Sequence, residues 1–160
     1  MAVEIMEIQP EHDDVICNII KTVGSEFGAI GDGFGPSDAE VLEMSAHYDD
    51  QRGSLYLVAL LDGRIVGGGG IAPFNGSSQT CELRKLFLLK EARGLGIGQV
   101  LLTRCLAYAS QKGYKKCYLD TLSGMKSAIS LYEKFGFQHL GRPLDGIVHS
   151  GCDVWMLKKL

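Results

Sequence analysis

The stretch from residue 86 to 102, LFLLKEARGLGIGQVLL, constrains the chain most. An apolar, strand-like run ends in Arg93-Gly94-Leu95-Gly96-Ile97-Gly98 and passes at once into a helical stripe of Leu101, Leu102, Cys105, Leu106 and Ala109. A strand feeding a helix through so short a bend requires a sheet with a helix packed on it. Glycines let the bend turn tightly and bring backbone N–H groups close to a ligand. The helix start adds unsatisfied N–H groups and a partial positive charge. Arg93 adds a charge-assisted donor. This is a site for a pyrophosphate. A dinucleotide fingerprint built on Gly94 and Gly96 needs a glycine where Gln99 stands, and its usual place after the first strand of a βαβ unit is also missing. A phosphate-binding loop of the Gly-Lys-Ser/Thr kind is absent. The bend alone leaves the phosphate ligand undecided.

The rest of the chain supplies the sheet. Residues 2–8 alternate apolar and polar and read as a strand. Pro10 opens a helix to about Phe27, with Val15, Ile16, Ile19, Ile20 and Val23 on one face. Gly24–Pro36 is a loop. Ser37 with Glu40 has the form of a capping box, so a second helix is expected to about Tyr48. SLYLVALL (54–61) is a strand, Asp62-Gly63 a hairpin turn, and 64–71 the return. Gly67–Gly70 in that return marks a bulge or a close approach by another group, a substrate included. Further strands are expected at 81–89, 115–119, 137–140 and 152–157. Helices are expected at 96–112, ending at Gly113, and from Met125 to Gly136. The expectation is α/β (α+β): one domain over 1–160, with a central mixed, twisted sheet of about seven strands flanked by about four helices.

Charge is divided along the chain. Residues 1–80 hold 13 Asp/Glu and 3 Lys/Arg; residues 81–160 hold 6 and 13. The division suggests two ligands of opposite sign. The net charge of −3 argues against nonspecific nucleic-acid binding. No apolar run reaches membrane-spanning length, and nothing resembles a secretory signal, so the expected location is cytoplasmic, without membrane partners. Five cysteines without a CxxC read as reduced, mostly buried thiols. No metal is expected: His149 and Cys152 are too few ligands for zinc.

With these elements in place, the sequence resembles the GNAT superfamily of N-acetyltransferases. Arg93-x-x-Gly96-x-Gly98 matches the superfamily's acyl-CoA pyrophosphate signature, and AISLYEKFGF (128–137) resembles its second signature, a helix ending LYEKxGF. The two stand in the family's order, either side of a strand. The resemblance implies acetyl-CoA as cosubstrate. Leu86, Phe87 and Leu88 would bind the pantetheine arm through backbone groups, exposed where two parallel strands splay. Arg93, Gly94, Leu95, Gly96, Ile97 and Gly98 would hold the pyrophosphate. Tyr132 would protonate the departing thiolate, and Glu82 would accept the amine's proton, usually through water. Met125 departs from the asparagine many members carry. Lys134, with Lys126, is a candidate for the CoA phosphates.

The implied activity is transfer of an acetyl group from acetyl-CoA to a primary amine of a small molecule or peptide. The alternatives are a noncatalytic acyl-CoA sensor, another acyl-CoA, or a hydroxyl acceptor. Fold relatives are often dimers, so a homodimer is compatible. The Gly24–Pro36 loop is a candidate to close over the acceptor, with Glu26 and Asp32 attracting its ammonium. His149 is a candidate border of the same pocket.

Overall fold

A computed structural model describes residues 2–147 and 150–160. In chain order the elements are β1 (Val3–Glu7), α1 (Asp13–Glu26), β2 (Leu55–Leu61), β3 (Arg64–Pro73), β4 (Thr80–Leu88), α2 (Ile97–Gln111), β5 (Lys116–Thr121), α3 (Lys126–Lys134), β6 (Gln138–Leu140) and β7 (Val154–Lys159). The strands form one seven-stranded sheet in the order β1-β2-β3-β4-β5-β7-β6. β4 and β5 run parallel and the other neighbours antiparallel. This is the mixed, helix-flanked sheet expected from the sequence.

Strand alternation sorts the core into two layers. On one face Leu57, Leu83, Cys117 and Leu119 pack with α2 residues Leu101, Leu102 and Cys105 and with Tyr132 of α3. On the other, Tyr56, Val58 and Ala72 pack with Ile16 and Ile20 of α1. Ile16, Ile19, Ile20 and Val23 are all buried, the i, i+3, i+4, i+7 stripe read from the sequence. Each such isoleucine contributes roughly 2 kcal/mol by leaving water. The five cysteines are unpaired; Cys81, Cys105 and Cys117 lie in the core.

Two expectations need correction. The Ser37–Glu40 capping box does not form. Ser37 Oγ donates to the carbonyls of Gly31 and Phe34, at 2.7 and 2.8 Å. Asp38 is the N-cap of a 3-10 run over Ala39–Ala46 that breaks at Glu43 (φ −150°, ψ 63°), and its carboxylate makes no capping bond but accepts from Lys85 instead. Glu40 turns inward instead, to Lys85, Arg84 and Tyr48. A buried cation is a stronger partner for a carboxylate than one backbone N–H.

The second correction concerns Gly67–Gly70. A Cβ on Gly68 or Gly70 would come within 2.7 Å of the Tyr56 ring; on Gly67 or Gly69 it would come within 2.5 Å of Leu88 or Leu86. These glycines admit neighbouring strands, not a substrate. A bulge does adjoin the run, since Gly67 pairs with Ala59 but Ile65 with Leu60, leaving Val66 extra in β3, and a second bulge lies opposite it on β4. Gly68 pairs with Phe87 but Gly70 with Arg84, so Lys85 and Leu86 together face Gly69. Lys85 takes φ +51°, a left-handed conformation that costs a non-glycine residue about 1 kcal/mol. A bulge bends its strand. β4 pairs with β5 only through Thr80–Lys116, Cys81–Cys117 and Glu82–Tyr118, and beyond these the two strands diverge.

Candidate active site

The divergence of β4 and β5 opens two connected hollows. The larger, about 1180 Å³ of space including its open mouth, is walled by Leu86–Leu88, Arg93, Gly94, Gly96, Gly98 and Gln99, and across from them by Gly124–Ala128 and Leu131. The smaller, about 700 Å³, lies in the gap itself. Its walls carry residues from both faces of the sheet: Leu83, Leu119 and Tyr132 from the α2 and α3 side, Glu82, Arg84 and Asp120 from the other. Phe27, Leu86, Phe87 and Met125 border both hollows. A ligand lying in the larger hollow can therefore meet one entering the gap from the opposite side.

The larger hollow gathers backbone donors and cations. Gly94 and Gly96 adopt φ +77° and +82°, which the bend requires and L side chains rarely take. Gly96 caps α2 without any side-chain hydrogen bond. The first backbone bond into this turn comes from Val100 to the Gly96 carbonyl, so the N–H groups of Ile97, Gly98 and Gln99 precede it. The start of α3 faces the same hollow, with Met125 as an N-cap that also offers no side-chain bond. Two helix N-termini thus converge on one cavity, with Lys126 and Arg93 on its walls. Only the first was legible beforehand; no glycine signature marks the α3 terminus.

Arg93 is already engaged. Its Nη1 and Nη2 donate to the Glu26 carboxylate at 2.6 and 2.8 Å, and Nε and Nη2 to the Leu88 carbonyl at 3.1 and 2.9 Å. The guanidinium lies 5.4 Å from the Phe27 ring centre. Its hydrogen bonds hold the Glu26 carboxyl below its usual range. Arg93 therefore ties the end of α1 to the glycine bend.

Tyr132 and Glu82, predicted as catalytic residues, are brought to the one gap. Tyr132 is buried, its ring edge-on to Phe137 at 5.8 Å, and burial pushes its phenol above the ordinary range. Glu82 is 5% exposed and accepts from Arg84 Nε at 2.9 Å. Beside them Lys85, with a side chain only 3% exposed, sets its ammonium 2.9 Å from Asp38 and 3.0 Å from Glu40. Burial pushes Glu40 up, but Lys85, Tyr48 and Arg84 hold its carboxyl below the usual range. Sequence patterning missed this network, because Lys85 reaches it only through the bulge.

Other predicted residues are placed less simply. Gly94, Gly96 and Gly98 line the hollow. Leu95 is 40% exposed and does not, while the Ile97 side chain is in the core, leaving its backbone N–H alone. Lys134 is exposed at the far end of α3 and does not line the hollow, because the helix axis carries it away from the N-terminus; Lys126 does. The Gly24–Pro36 loop contributes Ala29, Phe34 and Pro36 to the gap, but Asp32 is exposed away from it and Glu26 is spent on Arg93. The carboxylates on the gap are Glu82 and Asp120. Part of the charge division resolves into ion pairs joining the two halves: Glu26–Arg93, Asp38–Lys85, Glu40–Lys85 and Asp50–Lys112. Cys152 borders the gap, its thiol pushed up by burial and by nearby Asp120. His149 lies outside the described residues. Among those described, no three His, Cys, Asp or Glu gather as metal ligands, and no helix is long and apolar enough to cross a membrane.

The pattern shared by the acetyltransferase (GNAT) family matches residues 28–137. Over 152 residues the chain is 38% identical to the uncharacterized N-acetyltransferase YjgM of Escherichia coli (strain K12), spanning 94% of this chain and 90% of that one. Solved structures share the fold. The PaiA N-acetyltransferase of Thermoplasma acidophilum, in complex with coenzyme A, superposes with a TM-score of 0.80 at 21% identity, over 100% of both chains. YncA of Salmonella typhimurium, with its cofactor acetyl-CoA, gives 0.79 at 20% identity, over 99% of this chain and 94% of that one.

Proposed function

The chain belongs to the acetyltransferase (GNAT) family, and from that premise we propose that it moves an acetyl group from acetyl-CoA directly to the primary amine of a small molecule. The observation that carries this reading is the gap between β4 and β5, which joins an anion-binding hollow to a second pocket with Tyr132 and Glu82 on its walls.

The residues present suit the cosubstrate. The N–H groups opening α2, with Arg93 and Lys126, receive the pyrophosphate. Beyond Glu82 the β4 backbone is released from β5, and Leu86–Leu88 offer it to the pantetheine amides. The acetyl carbonyl then stands in the gap.

An alkyl amine is protonated at neutral pH and must lose a proton before it can attack a thioester. Glu82 takes that proton, directly or through a water. The amine nitrogen forms a bond to the acetyl carbon, the carbon–sulfur bond breaks, and Tyr132 gives its proton to the departing thiolate. Burial keeps the Tyr132 phenol protonated at neutral pH, as the acid role requires. No covalent enzyme intermediate is needed; holding both substrates in one gap supplies much of the rate.

A thiol-release assay with acetyl-CoA and a panel of amines tests the proposal. Release that depends on an amine is expected. Tight acetyl-CoA binding with no release on any amine or alcohol would replace the enzyme with a sensor.

A further inference from the structure

The charged groups around the gap specify more about the acceptor than that it is an amine. Two cations, Arg84 and Lys85, stand on this wall. Lys85 is fully committed: it is buried, and its ammonium sits between Asp38 and Glu40. Arg84 is not. Its Nε donates to Glu82 at 2.9 Å, while the contacts of its two terminal nitrogens to Glu40 and Pro73 are longer. These are 3.6 Å to Glu40 and 3.5 Å to the Pro73 carbonyl, with the Tyr48 phenol nearby. Contacts of that length are weak hydrogen bonds at best. The side chain is 25% exposed and lines the pocket. A guanidinium held firmly at one nitrogen and loosely at the other two is preorganised for a planar anion.

The same wall carries the opposite sign one step away. Glu82 lies two residues before Arg84 on the same face of β4, and Asp120 lies across the gap on β5. An ammonium and a carboxylate carried on one small molecule match this adjacency. Phe27, Phe34, Pro36 and Leu122 give the pocket uncharged, apolar walls, beside the neutral polar groups of Thr121, Tyr132 and Cys152.

Resting on the acetyl-transfer reading above, we infer that the acceptor is a free amino acid with an uncharged side chain, its carboxylate held by the Arg84 fork while Glu82 and Asp120 face its amine. Polyamines and aminoglycosides lack the carboxylate, and a peptide N-terminus lacks it beside the amine. Arg84 is thus a specificity-determining residue for the acceptor, distinct from the proton-transfer pair.

The test compares three forms of one acceptor on the unmodified protein: L-leucine, its methyl ester, and its decarboxylated amine isoamylamine, with L-phenylalanine, its ester and phenethylamine as a second set. Esterification makes the amine less basic, so the ester is favoured if amine reactivity alone decides. Two charge-assisted bonds to the fork predict that the free acid exceeds both analogues by about 10- to 100-fold in kcat/KM. Arg84→Lys, which keeps the charge and the Glu82 pairing but loses the fork, is expected to collapse that preference mainly through KM, with acetyl-CoA affinity retained. Amines acetylated with the ester or the decarboxylated amine equal to or better than the acid would overturn the inference while leaving acetyl transfer intact. So would a preference for the acid that persists in Arg84→Lys. If no acceptor releases thiol, the acetyl-transfer reading itself fails.

Discussion

Replacing Lys85 by methionine tests how the pocket wall is held. The change keeps the stem volume and leaves the same strained φ of +51°, so it isolates the charge. In the native protein the ammonium, 3% exposed, lies 2.9 and 3.0 Å from two carboxylates that are 30% and 17% exposed. Its removal leaves two like charges facing each other in a poorly hydrated site. Breaking a buried ion pair from one side costs about 3–5 kcal/mol. Arg84 beside Glu40 and the partial exposure of Asp38 place this case near the lower end, about 3 kcal/mol. For a chain of 160 residues that is a fall in Tm of roughly 6–12 °C. Urea denaturation followed by the fluorescence of Trp155, the sole tryptophan, reads it. Adding Glu40→Gln should restore at least about 1 kcal/mol, because the second change removes the repulsion the first created. A loss below about 1 kcal/mol, or strictly additive effects in the double variant, would refute the claim that this triad fastens the Gly35–Ala46 segment to β4.

Three further outcomes are expected. Tyr132→Phe should lower kcat about 100-fold with acetyl-CoA affinity unchanged; unchanged turnover on every accepted amine removes the acid role. Gly96→Ala should cost about 1 kcal/mol, because its φ of +82° suits glycine while nothing crowds the new methyl, and should weaken acetyl-CoA binding; wild-type stability would contradict the strained bend. Glu40, whose carboxyl is held below its usual 4.5 despite burial, contributes stability that is present above that value and lost as pH falls through the lower folded one. Urea titrations at about pH 6 and about pH 3.5 should show Glu40→Gln losing less than the wild type between the two; equal losses would count against it.

Much of this was legible beforehand for a physical reason. Strand and helix periodicities are local, so the seven strands and the faces of α1 and α2 follow from residues near in sequence. The glycine bend before α2 is equally local, and its glycines line the larger hollow. What stayed hidden depends on pairing. The convergence of the α3 start on the same hollow comes from the β4–β5 divergence. That divergence accompanies the single extra residue at Lys85, which no periodicity announces. Ser37 and Glu40 fitted a capping pattern, yet Glu40 found Lys85, a partner 45 residues away. The charge division between the halves was visible as a pattern, but its meaning as cross-half ion pairs needed the fold.

We propose that the uncapped starts of α2 and α3, with Arg93 and Lys126, grip the diphosphate of coenzyme A. Titration calorimetry of the purified protein with acetyl-CoA measures this most directly. Saturable heat is expected at micromolar concentrations, weakening as salt is raised because the contacts are ionic. Absence of heat up to millimolar acetyl-CoA, or an affinity indifferent to salt, would contradict it.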